Sequence, residues 1–116
     1  MVDGEFSAEV VGTEGEAAVI RVVGELDLAS VPELNACLVT LDGVDIIVDL
    51  AGVSFMDSTG LGSLIAAYRR SVRSGCSVVL RAPQTQIANV LHLTGVDQVL
   101  IVEAEPPAAD TPRRPR

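Results

Sequence analysis

The sequence predicts an α/β domain: a mixed β-sheet of four to five strands with interspersed helices. Three observations carry that assignment. Two β-rich segments separated by a glycine-containing stretch open the chain, amphipathic helical segments then alternate with short internal apolar strands, and a length of 116 residues suits one hydrophobic core.

Residues 6–11 partly alternate apolar with polar side chains, and residues 18–23 are rich in β-branched ones, with residues 12–16 between them, so the opening is an antiparallel hairpin. After Gly24-Glu25-Leu26-Asp27, the run Ser30-Val31-Pro32-Glu33 carries an N-cap serine, a proline in the first turn and a glutamate three places beyond the serine. This is the pattern of a capping box at a helix start. Val31, Leu34, Leu38 and Leu41 then recur at three- and four-residue spacing and mark the buried face.

Residues 44–50 are almost continuously apolar at their centre, as expected of a central strand. Residues 51–57 read as a loop into a second helix from about Ser58 to Ser74, with Leu61, Leu64, Ile65, Tyr68 and Val72 as its apolar stripe and Gly75 as its stop. Arg69, Arg70 and Arg73 project to one side of that stripe near the helix end, where the dipole favours cations; a solvated face and a docking face both fit. Residues 77–82 form another internal strand, and Pro83 opens a third helix with Ile87, Val90 and Leu91 inward and Gly95 just past its end. A short strand at residues 99–102 closes the order, which calls for right-handed crossovers. The folded domain is expected over residues 1–103. Residues 104–116 carry four prolines and three arginines but no large apolar side chain, the composition of a flexible tail.

Composition narrows the function. Aromatics are 3% of the chain, so few stacking platforms exist for single-stranded nucleic acid, and a formal charge of -8 repels phosphate backbones and anionic lipid. Nucleic acid and membrane are therefore excluded as expected partners, and a neutral or basic protein surface is favoured. The N-terminal residues lack the basic start of a signal peptide and no apolar run reaches spanning length, so a cytoplasmic protein is expected. Cys37 and Cys76 are too far apart in sequence for a redox or zinc motif and read as buried free thiols; neither metal nor cofactor is expected. All eight basic residues are arginine, a weak pointer to a GC-rich genome.

The constellation with chemical content is Asp49-Leu50-Ala51-Gly52-Val53-Ser54-Phe55-Met56-Asp57-Ser58-Thr59-Gly60-Leu61: a strand, a short connection, then a serine at a helix N-terminus. Free backbone N–H groups and the positive end of the helix dipole make such a place receptive to phosphate. Phosphorylation of Ser58 would add about -1.5 to -2 charges there. Gly60 would let a partner approach the hydroxyl, and Phe55 and Met56 would offer it apolar surface. The plainer possibility is that Asp57 or Ser58 simply caps the helix, a contribution of about 1 kcal/mol.

From Phe6 to Val102 the sequence resembles the STAS family of anti-sigma factor antagonists. The resemblance rests on Gly24-Glu25-Leu26-Asp27, on Asp57-Ser58-Thr59-Gly60-Leu61-Gly62, and on Ala82-Pro83 followed by Val90-Leu91-His92-Leu93-Thr94-Gly95-Val96, in that order. It implies a single STAS-like domain in which Ser58 is phosphorylated by a partner that is both anti-sigma factor and serine kinase, and dephosphorylated by a serine phosphatase. The unphosphorylated form would bind the kinase and release the sigma factor. The implied partner-binding residues are Asp27, Phe55, Met56, Asp57, Ser58, Thr59, Gly60 and Leu61, in a monomer or weak dimer. Family members usually end in a further helix, whereas Pro106 and Pro107 interrupt this chain soon after its last strand. The alternative is a STAS-type interaction subunit of a stress-signalling or lipid-transport complex.

No catalytic residue is expected. The single histidine, His92, lies in neither a G-x-S-x-G elbow nor any other nucleophile motif, lysine is absent, and Gly60-Leu61-Gly62 is not a full nucleotide-binding fingerprint. Asp49 as a receiver-type phosphoacceptor lacks the acidic cluster and the later lysine that such chemistry needs.

Overall fold

The computed structural model describes residues 5–104, so the expected tail, apart from Ala104, lies outside the described residues. Strands β1 (Ser7–Glu14) and β2 (Ala17–Leu26) are followed by helix α1 (Val31–Val39), β3 (Ile46–Met56), α2 (Ser58–Arg73), β4 (Val78–Arg81), α3 (Thr85–Leu93), a 3₁₀ turn (Val96–Gln98) and β5 (Ile101–Glu103). The five strands lie side by side in chain order. β1 runs antiparallel to β2, and the remaining pairs are parallel. The α/β class and mixed sheet agree with the sequence, and the strand built around residues 44–50 is indeed central.

Two strands run longer than expected. Glu14 already faces Ala17, so the hairpin closes through Gly15 and Glu16 alone, with Gly15 at φ +60°. A bulge between Val10 and Gly12 lets β1 continue through the glycine that reads as loop. The presumed loop at residues 51–57 is mostly strand: β3 goes on to pair Glu25 with Phe55 and Leu26 with Met56 after register breaks on either side of the Val23–Gly52 and Gly24–Val53 pairs. Those breaks disturb the two-residue alternation that marks a strand in sequence.

One face of the sheet carries the core. Ile20, Val22 and Leu26 of β2, Val48, Leu50 and Val53 of β3, and Leu80 of β4 join Leu34 and Leu38 of α1, Leu64 of α2, and Ile87 and Leu91 of α3 in a single buried cluster. Val72 departs from its expected place in the α2 stripe and is half exposed; Ala67 and Ser71 are the buried residues in that part of the helix. Counting only large apolar residues missed the line along which small side chains let the helix pack closely. Pro83 precedes α3 rather than opening it, because Ala82 takes φ +57° and Gln84 is the N-cap.

The opposite face carries a register row of alternating charge, Arg21–Asp49–Arg81–Glu103. Arg21 Nε reaches Asp49 Oδ2 at 3.4 Å, and Arg81, 6% exposed, donates to Glu103 at 2.9 Å and with a second nitrogen to Glu14 Oε1 at 2.8 Å. Glu14 and Glu103 hold the guanidinium charged. Asp49 is thus an ion-pair partner that also accepts from the Ala51 N–H, and no group of three potential metal ligands occurs among the described residues. Cys37 and Cys76 are free but only half-buried, and burial together with Glu9 pushes the Cys37 thiol up.

Candidate functional site

Parallel strands deliver their C-terminal ends to one edge of the fold, and the turns leaving β2 and β3 meet there. The Asp57 N–H donates to the Leu26 carbonyl at 3.2 Å, which stitches the start of α2 to the end of β2. Asp27 and Asp57, 30 positions apart in sequence, are thereby held on neighbouring turns. Each spends one carboxylate oxygen on its own turn.

Asp57 is the N-cap of α2: its Oδ1 accepts from the Thr59 N–H at 2.9 Å and the Gly60 N–H at 3.0 Å. Ser58 is the first residue of the helix and is exposed, and its hydroxyl takes no hydrogen bond among the described residues. The expectation of several free N–H groups awaiting a phosphate needs correction. Two of the first-turn donors already belong to Asp57, so an anion on Ser58 sits beside a carboxylate and must either compete with it or point outward.

Asp27 Oδ1 accepts from the Ala29 N–H at 3.1 Å and the Ser30 N–H at 3.2 Å. The buried Ser30 hydroxyl donates to the Glu25 carbonyl at 2.7 Å and accepts from the Asp27 N–H at 3.0 Å. No capping box with Glu33 therefore forms at α1; the serine instead ties the end of β2 to the turn, since its side chain faces back toward the strand.

The expected partner-binding residues divide into two sets. Asp27, Phe55, Asp57, Ser58 and Thr59 reach the surface, with Phe55 48% exposed beside Glu25. Met56 and Leu61 do not: at 5% and 8% exposure they belong to the core, because the strand continues through Met56 and the inner face of α2 carries Leu61. Gly60 is buried as well. A Cβ there would stand 2.5 Å from the Leu26 carbonyl oxygen and 2.8 Å from Leu26 Cγ, so its bare backbone serves the contact between α2 and β2 and not the approach of a partner.

Two features of this edge are not among the expected site residues: Leu28, 73% exposed, and the groove beside Asp27 lined by Glu5, Glu25 and Glu33. Their signal was available: Glu25 lies inside the quoted motif and alternates with buried Gly24 and Leu26, and Leu28 follows that motif directly. His92, at the last turn of α3, is exposed and lies 3.0 Å from Asp97.

Comparison with known proteins agrees with this geometry. The family model described as Mlab, STAS domain matches residues 10–103. An anti-sigma-B factor antagonist of Bacillus subtilis is 31% identical over 88 residues, covering 74% of this chain and 81% of the relative. The structure of an anti-sigma factor antagonist from Mycobacterium paratuberculosis superposes with a TM-score of 0.72 at 28% identity, covering 94% of this chain and 92% of that one. The Bacillus cell fate determinant SpoIIAA in its phosphorylated form superposes with a TM-score of 0.64 at 28% identity over 84% of this chain and 90% of its own. With a matching model over nearly all the described residues, a relative above 30% identity and the same sheet with its helices, the chain belongs to the STAS domain family of anti-sigma factor antagonists.

Proposed function

We propose that this chain is an anti-sigma factor antagonist that works by partner switching. In its unphosphorylated form it binds an anti-sigma factor with serine kinase activity and frees a sigma factor; phosphorylation of Ser58 ends that binding, and a serine phosphatase restores it. The observation that carries the proposal is a solvent-exposed serine hydroxyl, free of hydrogen bonds among the described residues, at the first position of a helix whose start is pinned to the neighbouring strand. A kinase can reach such a group without disturbing the core. The names of the relatives, and a structural relative solved in a phosphorylated form, support the same function.

The docking surface consists of Asp27, Phe55, Asp57, Ser58 and Thr59, joined by Glu25 and Leu28. Phe55 and Leu28 supply apolar contact area and the carboxylates set its charge preference, so the surface suits a neutral or basic face of the partner. The module acts as a regulator; none of its residues is assigned a catalytic role.

Two measurements test the proposal. Protein purified from its native host is analysed by mass spectrometry, with phosphate expected on Ser58, and a tagged chain is used to recover its partner. A co-purified protein with a histidine-kinase-like ATPase domain and serine kinase activity is expected. Ser58→Ala should fold, bind that kinase and take no phosphate. Undiminished phosphorylation of Ser58→Ala would move the site elsewhere, and a transporter ATPase in the kinase's place would favour the interaction-subunit alternative.

A further inference from the structure

The outer line of α2 carries local choices that the fold does not ask for. Arg21 and Arg81 are paired with carboxylates, but no ion pair within 4 Å engages Arg69, Arg70 or Arg73 among the described residues. Three unpaired cations on one helix are conspicuous in a chain of formal charge -8. The helix dipole accounts for cations near this end, but it does not account for Arg69 and Arg73 being stacked four residues apart, where like charges repel.

Helical spacing puts Ser58, Gly62, Ala66, Arg69 and Arg73 along one side of α2, and all five are exposed. Gly62 is a second anomaly on the same line. Unlike Gly60, a Cβ at Gly62 would meet nothing within 4 Å, so packing does not require a glycine that weakens the helix. Nothing taller than a methyl group therefore stands between the Ser58 hydroxyl and the first guanidinium, a span of about 16 Å at 1.5 Å per residue.

We propose that this line of α2 seats an acidic segment of the anti-sigma factor kinase, with Arg69 and Arg73 holding its carboxylates and Gly62 allowing its backbone to lie close to the helix. The inference rests on the functional assignment above and extends the footprint about 22 Å down the helix from Ser58. A protein segment is favoured over nucleic acid or anionic lipid because the overall negative field repels extended polyanions, whereas a few carboxylates meet these guanidinium groups at contact distance.

The test uses the full chain and the kinase recovered with it, with affinity measured by calorimetry at low and high salt. Arg69→Glu combined with Arg73→Glu should bind at least tenfold more weakly and show a flatter salt dependence. Gly62→Leu should also lose at least tenfold while keeping the wild-type circular dichroism spectrum. Arg21→Gln, on the opposite face of the sheet, removes a positive charge and should stay within twofold of wild type. If either the double arginine variant or Gly62→Leu binds within twofold of wild type, the placement is overturned and the functional assignment survives. Failure of the wild-type chain itself to bind would overturn both.

Discussion

Two glycines one turn into the same helix should respond to alanine with opposite sign. At Gly60 an added Cβ would overlap the Leu26 carbonyl oxygen at 2.5 Å, Leu26 Cγ at 2.8 Å and the Leu26 carbonyl carbon at 3.1 Å. None of these atoms can yield easily: Leu26 is fully buried, paired with Met56, and its carbonyl accepts the Asp57 N–H. Forcing a methyl into such a site costs about 3 kcal/mol at the upper end of the overpacking range. Replacing a helical glycine returns about 1 kcal/mol. Gly60→Ala should therefore be destabilised by about 2 kcal/mol, a fall in melting temperature of roughly 10 °C for a domain of this size. Gly62→Ala meets open space and should gain about 1 kcal/mol, provided its backbone stays helical. Urea denaturation followed by circular dichroism measures both. A Gly60→Ala protein as stable as wild type would refute the packing argument, and with it the view that this glycine sets the distance between α2 and β2.

Other perturbations separate structural from recognition roles. Asp57→Ala should lose about 1 kcal/mol through the Thr59 and Gly60 N–H groups it leaves uncapped, whereas Asp57→Asn should keep most of that stability; the same denaturation experiment distinguishes them. Arg81, chiefly through its hydrogen bonds, holds the Glu14 carboxyl below its ordinary value of 4.5. A lowered folded-state pKa means that the native chain prefers the carboxylate. The pair's contribution is then complete above the unfolded value and fades as the pH falls through the folded one. Wild type should accordingly exceed Glu14→Gln in urea midpoint at neutral pH, and the gap should narrow as the pH falls below the ordinary carboxyl value of 4.5; a gap that widens on acidification would contradict the pairing.

Much of the fold was legible because its signals were local. The β-branched run of β2, the apolar centre of β3 and the Ser58–Gly75 span each obey one period or one stop rule. The errors have two causes: a contact made outside the pattern that the sequence displays, and the direction in which neighbouring side chains point. Ser30 looks like a cap in sequence, but the nearby Glu25 carbonyl and Asp27 turn claim its hydroxyl. Gly60 reads in sequence as an opening for a partner, but Leu26, thirty-four positions earlier, packs against it. The motif around Ser58 reads as one patch that includes Met56 and Leu61, but in a strand running into a helix successive side chains cannot all face the same way, and these two turn inward. Among the candidate site residues, Asp27, Asp57 and Ser58 stand out in the sequence by motif and resemblance, and the structure brings all three to the surface, where Glu25 and Leu28, in and next to the first of those motifs, join them.

The geometry at Ser58 also separates what a phosphate does to the fold from what it does to a complex. Inward, no free pair of donors awaits it among the described residues, since Asp57 already occupies the Thr59 and Gly60 N–H groups. A phosphate that displaces Asp57 replaces one cap with another, and a phosphate that points outward leaves the cap in place. In both cases the folding free energy changes by about 1 kcal/mol or less, the size of a capping or helix-dipole contribution. Beneath a docked partner the same group would be desolvated beside the Asp57 carboxylate, a penalty of several kcal/mol, or roughly a thousandfold in affinity. Phosphorylated and unphosphorylated chains should therefore melt within a few degrees of each other while their affinities for the kinase differ by orders of magnitude. Ser58→Asp, with a single charge on a shorter arm, should fall between them, roughly tenfold weaker than wild type, if about 1.4 kcal/mol of the penalty remains. A fall of more than 10 °C on phosphorylation would mean that the switch acts by loosening α2, since a change at the surface alone would leave the melting transition close to that of the unmodified protein.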